Sequence, residues 1–235
     1  MKVIEKDTLI GKRIAKLDAP EKASGQTRYV HDLDLPGQLH AKILRSARVH
    51  ALIRRIDVSK ARALPGVHAV LTAADVPWQR PLGVGKDQLP LKGDKVRSLR
   101  DEIAAVAADT EAIAEAALRL IEVEYEDLPV LTDPARALEA GAPLIHGEKL
   151  PPPAPHDSLK PGEPGDAEAH RHNVAMTFDY AQGDVAAGEA ESDAIVDDWF
   201  RLHYVTHCCM GVSGVIAEFD ASGNLTLHSN TQVPF

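Results

Sequence analysis

Two periodicities alternate along the first half of the chain. The runs "GQLHAKILRS" (37 to 46) and "HALIRRIDV" (50 to 58) place aliphatic side chains on alternate positions, the period of a half-buried strand. Asp57 stands where an N-cap would open a short helix over "SKARAL", which Pro65-Gly66 ends, and "VHAVLT" (67 to 72) returns to strand. The sequence repeats the arrangement farther on. "IAAVAA" (103 to 108) predicts a small-residue strand, Asp109 or Thr110 a cap for "EAIAEAALRLI", and "EVEYEDL" a strand with Val123 and Tyr125 on one face and acids on the other. Within that helix Ile113, Ala116, Ala117 and Leu120 share a face, which predicts a helix lying on a sheet. The fold class expected is α+β.

The pattern breaks at "EKLPPPAPHDSLKPGEPGD" (148 to 166), whose prolines and glycines and lack of large aliphatics predict a linker. Beyond it come a strand-like run, an Ala-rich acidic stretch, and strands that are too few to close a second core. The last of these, "SGNLTLHSNTQVPF", sets Leu225 and Leu227 on alternate positions after a Gly223-Asn224 turn. It then carries Thr231-Gln232 and Pro234-Phe235, a tail suited to packing against further structure.

Charge and cysteine content narrow the classes. The 235 residues carry 26 basic and 35 acidic side chains, a net −9, with no basic run interleaved with aromatics, so nucleic acid is not an expected partner. No apolar run reaches the roughly 18 residues of a membrane helix, and a soluble, cytoplasmic protein with no membrane partner is expected. Cys208 and Cys209 are adjacent and outside any C-x-x-C spacing, which favours small buried apolar residues over a redox pair. Among the histidines, His170 and His172 form an H-x-H pair and His203 and His207 lie four apart. On a strand the latter pair would be about 13 Å apart, too far for one ion. Gly83 and Gly85 match no phosphate-loop pattern, and the acids of "EVEYEDL" are expected to form a solvated edge.

Longer motifs carry more information. Asp18, Lys22, Gly25, Tyr29, Asp32, Pro36, Gly37 and Leu39 reproduce a D-x-x-x-K-x-x-G-x-x-x-Y-x-x-D-x-x-x-P-G-x-L pattern that precedes "ILRS". "DKVRSLRDEIAAVAA" and "GDVAAGEAESDAIVDDWF" follow, and "NTQVPF" closes the chain. Together these resemble the molybdenum-binding large subunit of the xanthine dehydrogenase and aldehyde oxidase family, with the 4-hydroxybenzoyl-CoA reductase branch the nearest in look. The resemblance implies an α/β hammerhead domain over residues 1–147, a proline-rich linker over 148–170, and the incomplete start of a molybdopterin-binding domain over 171–235.

It further implies an oxidoreductase of aromatic, heteroaromatic or aldehyde substrates. Such an enzyme uses a molybdenum-molybdopterin cofactor and passes electrons through iron-sulfur and FAD centres on partner subunits or domains of an oligomer. Gln232 matches the glutamine whose amide donates to an oxo ligand of molybdenum, so it is the cofactor-binding candidate, and no catalytic or metal-ligating residue is matched. Several positions depart from the pattern, beginning with Ala47-Arg48 where it has P-H. Arg100 replaces a glycine suited to positive φ, Glu102 replaces a turn proline, and Gly211 occupies a usually acidic place. A non-catalytic hammerhead module, or a truncated relic that binds partner subunits, is the alternative these departures suggest.

Overall fold

The computed structural model describes residues 11–82, 88–146, 173–174, 182–208 and 211–231. The chain divides into two compact units, one comprising Gln38–Val196 and the other Met1–Gly37 together with Asp197–Phe235. The first helix, α1 (Ala19–Ser24), belongs to the second of these.

The larger unit is built on β1 (His40–Arg45), β2 (Ala51–Asp57), the one-turn α2 (Ser59–Arg62), β3 (Val67–Thr72), β4 (Lys95–Val96), β5 (Glu102–Ala108), α3 (Glu111–Leu118) and β6 (Glu122–Asp127). A short helix, Val185–Ala190, lies farther along the same unit and is capped by Asp184, whose Oδ1 accepts from the Ala187 N–H at 3.0 Å. The strands form two antiparallel three-stranded sheets, ordered β1-β5-β3 and β4-β2-β6. The strand, helix, strand unit anticipated over 50–72 therefore crosses from one sheet to the other. The strands expected between residues 37 and 127 are present within a few residues of their predicted ends, whereas the linker over 148–170 and most of the strand-like run after it lie outside the described residues and the strand expected around Tyr204-Val205-Thr206 is not formed. Only β4, two residues long, had no periodicity to announce it.

Helix α3 lies on β5. Thr110 is its cap, its Oγ1 accepting from the Ile113 N–H at 3.2 Å, while Asp109 pairs with His68. The buried stripe is Ala114, Ala117 and Ile121, flanked by Ile113, Leu118 and Leu120, so the contact face is rotated from the one expected. The cause is size. Ala114 and Ala117 are fully buried in one cluster with Ala104, Ala108, Val106 and Val70, while the larger Ile113, Leu118 and Leu120 pack against it only partly buried. A second cluster holds Ala51, Ile53, Val96 and Ile103, and Leu44, Ile56 and Val123 pack against both. Where α2 ends, Gly66 takes φ +85°, and a Cβ there would stand 2.8 Å from Ile113 Cδ1. The left-handed conformation favours glycine, and any Cβ would also have to displace the end of the Ile113 side chain. The cap of α2 is Val58, one residue after the position expected, with Asp57 Oδ1 accepting from the Ser59 N–H at 2.9 Å.

The acids of β6 do form an exposed edge, and each is paired across the sheet. Arg55 meets Glu124 and Arg48 meets Asp127 at 3.1 Å, Arg54 Nε donates to Glu126 at 2.6 Å, and Lys60 pairs with Glu122. Solvent screens pairs this exposed, so they guard the edge more than they stabilise the fold.

The turn before β5 carries the two departures in "RDEI". Arg100 has φ +76°, the left-handed conformation that a glycine would occupy without strain. The turn is held from several sides: Arg100 N–H donates to Ser46 O at 3.1 Å, Arg45 Nη1 donates to Arg100 O at 3.0 Å, and the Asp101 carboxylate accepts from the Arg97 and Ser98 N–H groups. Glu102, in the proline's place, accepts from Arg45 at 2.5 Å and from the buried Lys92 at 3.0 Å. Lys92 also donates to Leu89 O at 2.8 Å, which satisfies a second of its protons.

Arg100→Gly should raise stability by about 0.5–1 kcal/mol, because relief of the left-handed strain exceeds the added entropy of the unfolded chain; the shift in urea midpoint measures it. The second expected outcome concerns acid. Burial raises the Glu102 pKa, but the hydrogen bonds from Lys92, its own backbone and Arg45 outweigh it and leave the carboxyl below its usual range. Its contribution is thus complete above the ordinary carboxylate range near pH 4 and lost as pH falls through the depressed native value. Urea midpoints taken from pH 7 to pH 3 should fall more steeply for the parent than for Glu102→Gln.

Candidate functional site

The smaller unit holds α1, a 3-10 turn at Val30–Asp32, and a hairpin of β7 (Val215–Phe219) and β8 (Leu225–Ser229). The hairpin forms because Asp220 closes its turn. Asp220 Oδ1 accepts from the Ser222 and Asn224 N–H groups at 2.8 and 2.9 Å, Asn224 Nδ2 donates to Oδ2 at 2.7 Å, and Gly223 supplies φ +83°. Those bonds, first among them the one from Asn224, hold the Asp220 carboxyl below its usual pKa.

At the open end a single side chain joins the strands. Asn230 Oδ1 accepts from the Gly214 N–H at 2.9 Å and its Nδ2 donates to Val212 O at 2.8 Å. This latch sits two residues before Gln232, the cofactor-binding candidate, which itself lies outside the described residues. Nothing in the residue pattern had singled out Asn230. The only signal was its place, immediately before the Thr231-Gln232 pair.

Among the described residues of this unit none is buried. Trp199 is 94 % exposed, Tyr204 is fully exposed, and Phe200, Leu202 and Val205 are exposed beside them. Cys208 is exposed as well, at φ +46°, which corrects the expectation of a buried small residue. The reason is local: residues 194–208 have no regular secondary structure and pair with no described strand. His203 and His207 are exposed in the same segment. His170, His172, Cys209, Gly83 and Gly85 lie outside the described residues. No group of three or more His, Cys, Asp or Glu side chains converges as a metal site among the described residues, and no helix among them is long and apolar enough to cross a membrane.

Two antiparallel sheets with a helix on one of them, followed by a hairpin that leads into T-Q, define a hammerhead domain joined to the beginning of a cofactor-binding domain. Residues 24–129 match the aldehyde oxidase and xanthine dehydrogenase a/b hammerhead domain, and residues 167–235 match the molybdopterin cofactor-binding domain. The chain is 37% identical over 216 residues to a probable xanthine dehydrogenase subunit of Bacillus subtilis (strain 168), covering 92% of this chain and 26% of that one. It is 34% identical over 227 residues to the nicotinate dehydrogenase large molybdopterin subunit of Eubacterium barkeri, covering 96% of this chain and 48% of that one. The crystal structure of a Cu,Mo-CO dehydrogenase superposes with a TM-score of 0.77 at 34% identity over 95% of this chain and 28% of the other. The chain thus belongs to the xanthine dehydrogenase and aldehyde oxidase family of molybdopterin-binding large subunits, and it spans between about a quarter and a half of the length of these relatives.

Asn230→Ala should leave the larger unit unchanged and loosen the open end of the hairpin. The two bonds it removes contribute about 1 kcal/mol each at most, so hydrogen exchange at Val215 and Ser229 should quicken while Val106 and Ala114 keep their protection.

Proposed function

We propose that this chain is the N-terminal part of the molybdenum subunit of an oxidoreductase that hydroxylates or reduces a carbon of an aromatic, heteroaromatic or aldehyde substrate. The observation that carries the proposal is the continuity of the two matched domains, hammerhead at 24–129 and molybdopterin-binding at 167–235, in one chain. The relatives are named for xanthine, nicotinate and carbon monoxide, a spread that favours small planar or carbonyl-like substrates without selecting one. Relatives named as subunits favour a complex in which iron-sulfur and flavin centres sit on companion chains.

When bound, a molybdenum-pterin group supplies the oxygen and electron chemistry. Of this chain's residues, Gln232 would hold it, donating its amide to an oxo ligand, and Asn230 would fix the strand end from which Gln232 departs. The described residues fit that assignment in one respect: the Asn230 latch gives the segment entering Thr231-Gln232 a defined starting point. The departure at Arg100 does not favour the alternative of a decayed relic, because its turn is fully bonded and Glu102 has found two cationic partners.

The test is a complete subunit that contains this segment, purified with its companions. It should carry molybdenum and pterin in stoichiometric amount, and their absence would overturn the proposal. Gln232→Ala should keep the metal and lose 10² to 10³ in turnover, roughly the worth of one donor aimed at charge developing on oxygen. Gln232→Glu should lose more, since a carboxylate would face an electron-rich oxygen and provide no donor. Turnover of Gln232→Ala within about threefold of the parent would remove Gln232 from the cofactor site.

A further inference from the structure

In the motif that opens the chain Asp18, Lys22, Gly25, Tyr29 and Asp32 each shape local backbone or pair with a neighbour, and none of them enters the two hydrophobic cores. Lys22 Nζ donates to Asp18 at 2.6 Å across one turn of α1. Gly25 ends α1 at φ +71°, and the Gln26 and Thr27 N–H groups turn back to Glu21 O at 2.8 and 3.3 Å. Asp32 accepts from the Tyr29 N–H at 2.8 Å, closing the 3-10 turn at Val30–Asp32, and the Tyr29 ring stacks on His31 with centroids 6.1 Å apart. Both cores draw their residues from Leu44 onward. Residues up to Gly37 belong to the unit that contains β7 and β8. Within it, Val30 Cγ1 stands 3.6 Å from the position a Cβ on Gly214 would take. Gly214 is the residue before β7, and its N–H is the one held by Asn230.

A lone two-stranded hairpin is marginal in water, and no described residue of this unit is buried, so contacts at the hairpin's open end decide whether it holds its form. Among the described residues Asn230 bonds this end from within the hairpin, and Val30, from the opposite end of the chain, stands beside Gly214 at the distance where a methyl on that residue would meet it. The bond between Asp32 and the Tyr29 N–H closes the turn that contains Val30.

We infer that residues 11–37 form an N-terminal clamp whose docking surface is the open end of the β7–β8 hairpin at Gly214. The clamp makes the cofactor-binding unit discontinuous in sequence, with the hammerhead carried between its two parts. Its consequence for catalysis rests on the proposed role of Gln232, beyond β8. The physical claim does not, because it concerns only how this chain holds its own hairpin.

Hydrogen exchange on the 235-residue chain separates the two. In Val30→Asp, a carboxylate replaces the methyl that faces Gly214, and amides of residues 215–219 and 225–229 should exchange up to about tenfold faster, with β5 and α3 unaltered. Gly214→Ala adds a methyl in van der Waals contact with Val30 and should slow the same amides. That gain should disappear in the Val30→Ala background, since the contact then has no partner. The inference is overturned if Val30→Asp leaves hairpin exchange within about twofold of the parent or quickens β5 and α3 equally. It is also overturned if Gly214→Ala acts alike with Val30 present or truncated. None of these readouts involves molybdenum, so they stand even if the proposed activity is wrong.

Discussion

The larger unit depends on how closely α3 can approach β5. Four alanines, two on each element, keep the interface thin enough for Ile113, Leu118 and Leu120 to reach past it and pack at its margins. A larger residue at Ala104, Ala108, Ala114 or Ala117 would force the helix off the sheet, and cores resist such overpacking as firmly as they resist cavities. The consequence travels. β5 is the central strand of its sheet, and Ile103 near its start sits in the second core with Ala51, Ile53 and Val96. A helix pushed away from β5 would therefore disturb the second sheet as well, through the Leu44, Ile56 and Val123 side chains that both cores share.

That coupling explains why the turn before β5 is so heavily bonded. The turn sets where β5 begins, and therefore which alanines face α3 and which residue enters the second core. A glycine in place of Arg100 would take the left-handed conformation without strain. Here Arg100 accepts the strained conformation and a set of ionic and hydrogen bonds from Arg45, Ser46, Asp101 and Lys92 supplies the restraint. Backbone preference has been exchanged for side-chain bonding. The exchange brings sensitivity to acid, because one of its members is a carboxylate whose bonded form is the charged one.

Most of this was legible in the residues, and the omissions share a physical cause. Strands with alternating aliphatics and a helix with a capped start declare themselves locally, so β1, β2, β3, β5, β6 and α3 were all anticipated. What failed to show was anything decided by partners distant in sequence. The two-sheet split, the two-residue β4, the rotation of α3 onto its alanines and the roles of Asn173 and Asn230 all belong to that class. Asn173 is instructive. Its side chain accepts from the Ile145 N–H at 2.8 Å and donates to Pro143 O at 3.0 Å and Ala137 O at 3.2 Å, pinning one segment from well beyond it. No local pattern marks an asparagine for that work. The candidate site was legible only by resemblance, since a single glutamine at a strand end has no chemical signature of its own.

The two units stand in opposite energetic states, and the contrast bears on what the chain is for. In the hammerhead unit apolar side chains find one another and even the buried Lys92 is paired. In the other, Trp199, Phe200, Leu202 and Tyr204 remain in water, and the hairpin is held by polar latches at its two ends. Apolar exposure concentrated in one stretch is the kind of surface that further structure covers, and the relatives extend well beyond the matched length. Hydrogen bonds at hairpin ends can fix direction without a core, whereas burial of aromatics needs a complementary surface. In this hairpin, polar bonds at the turn and at the open end fix the course of the strands without a core between them.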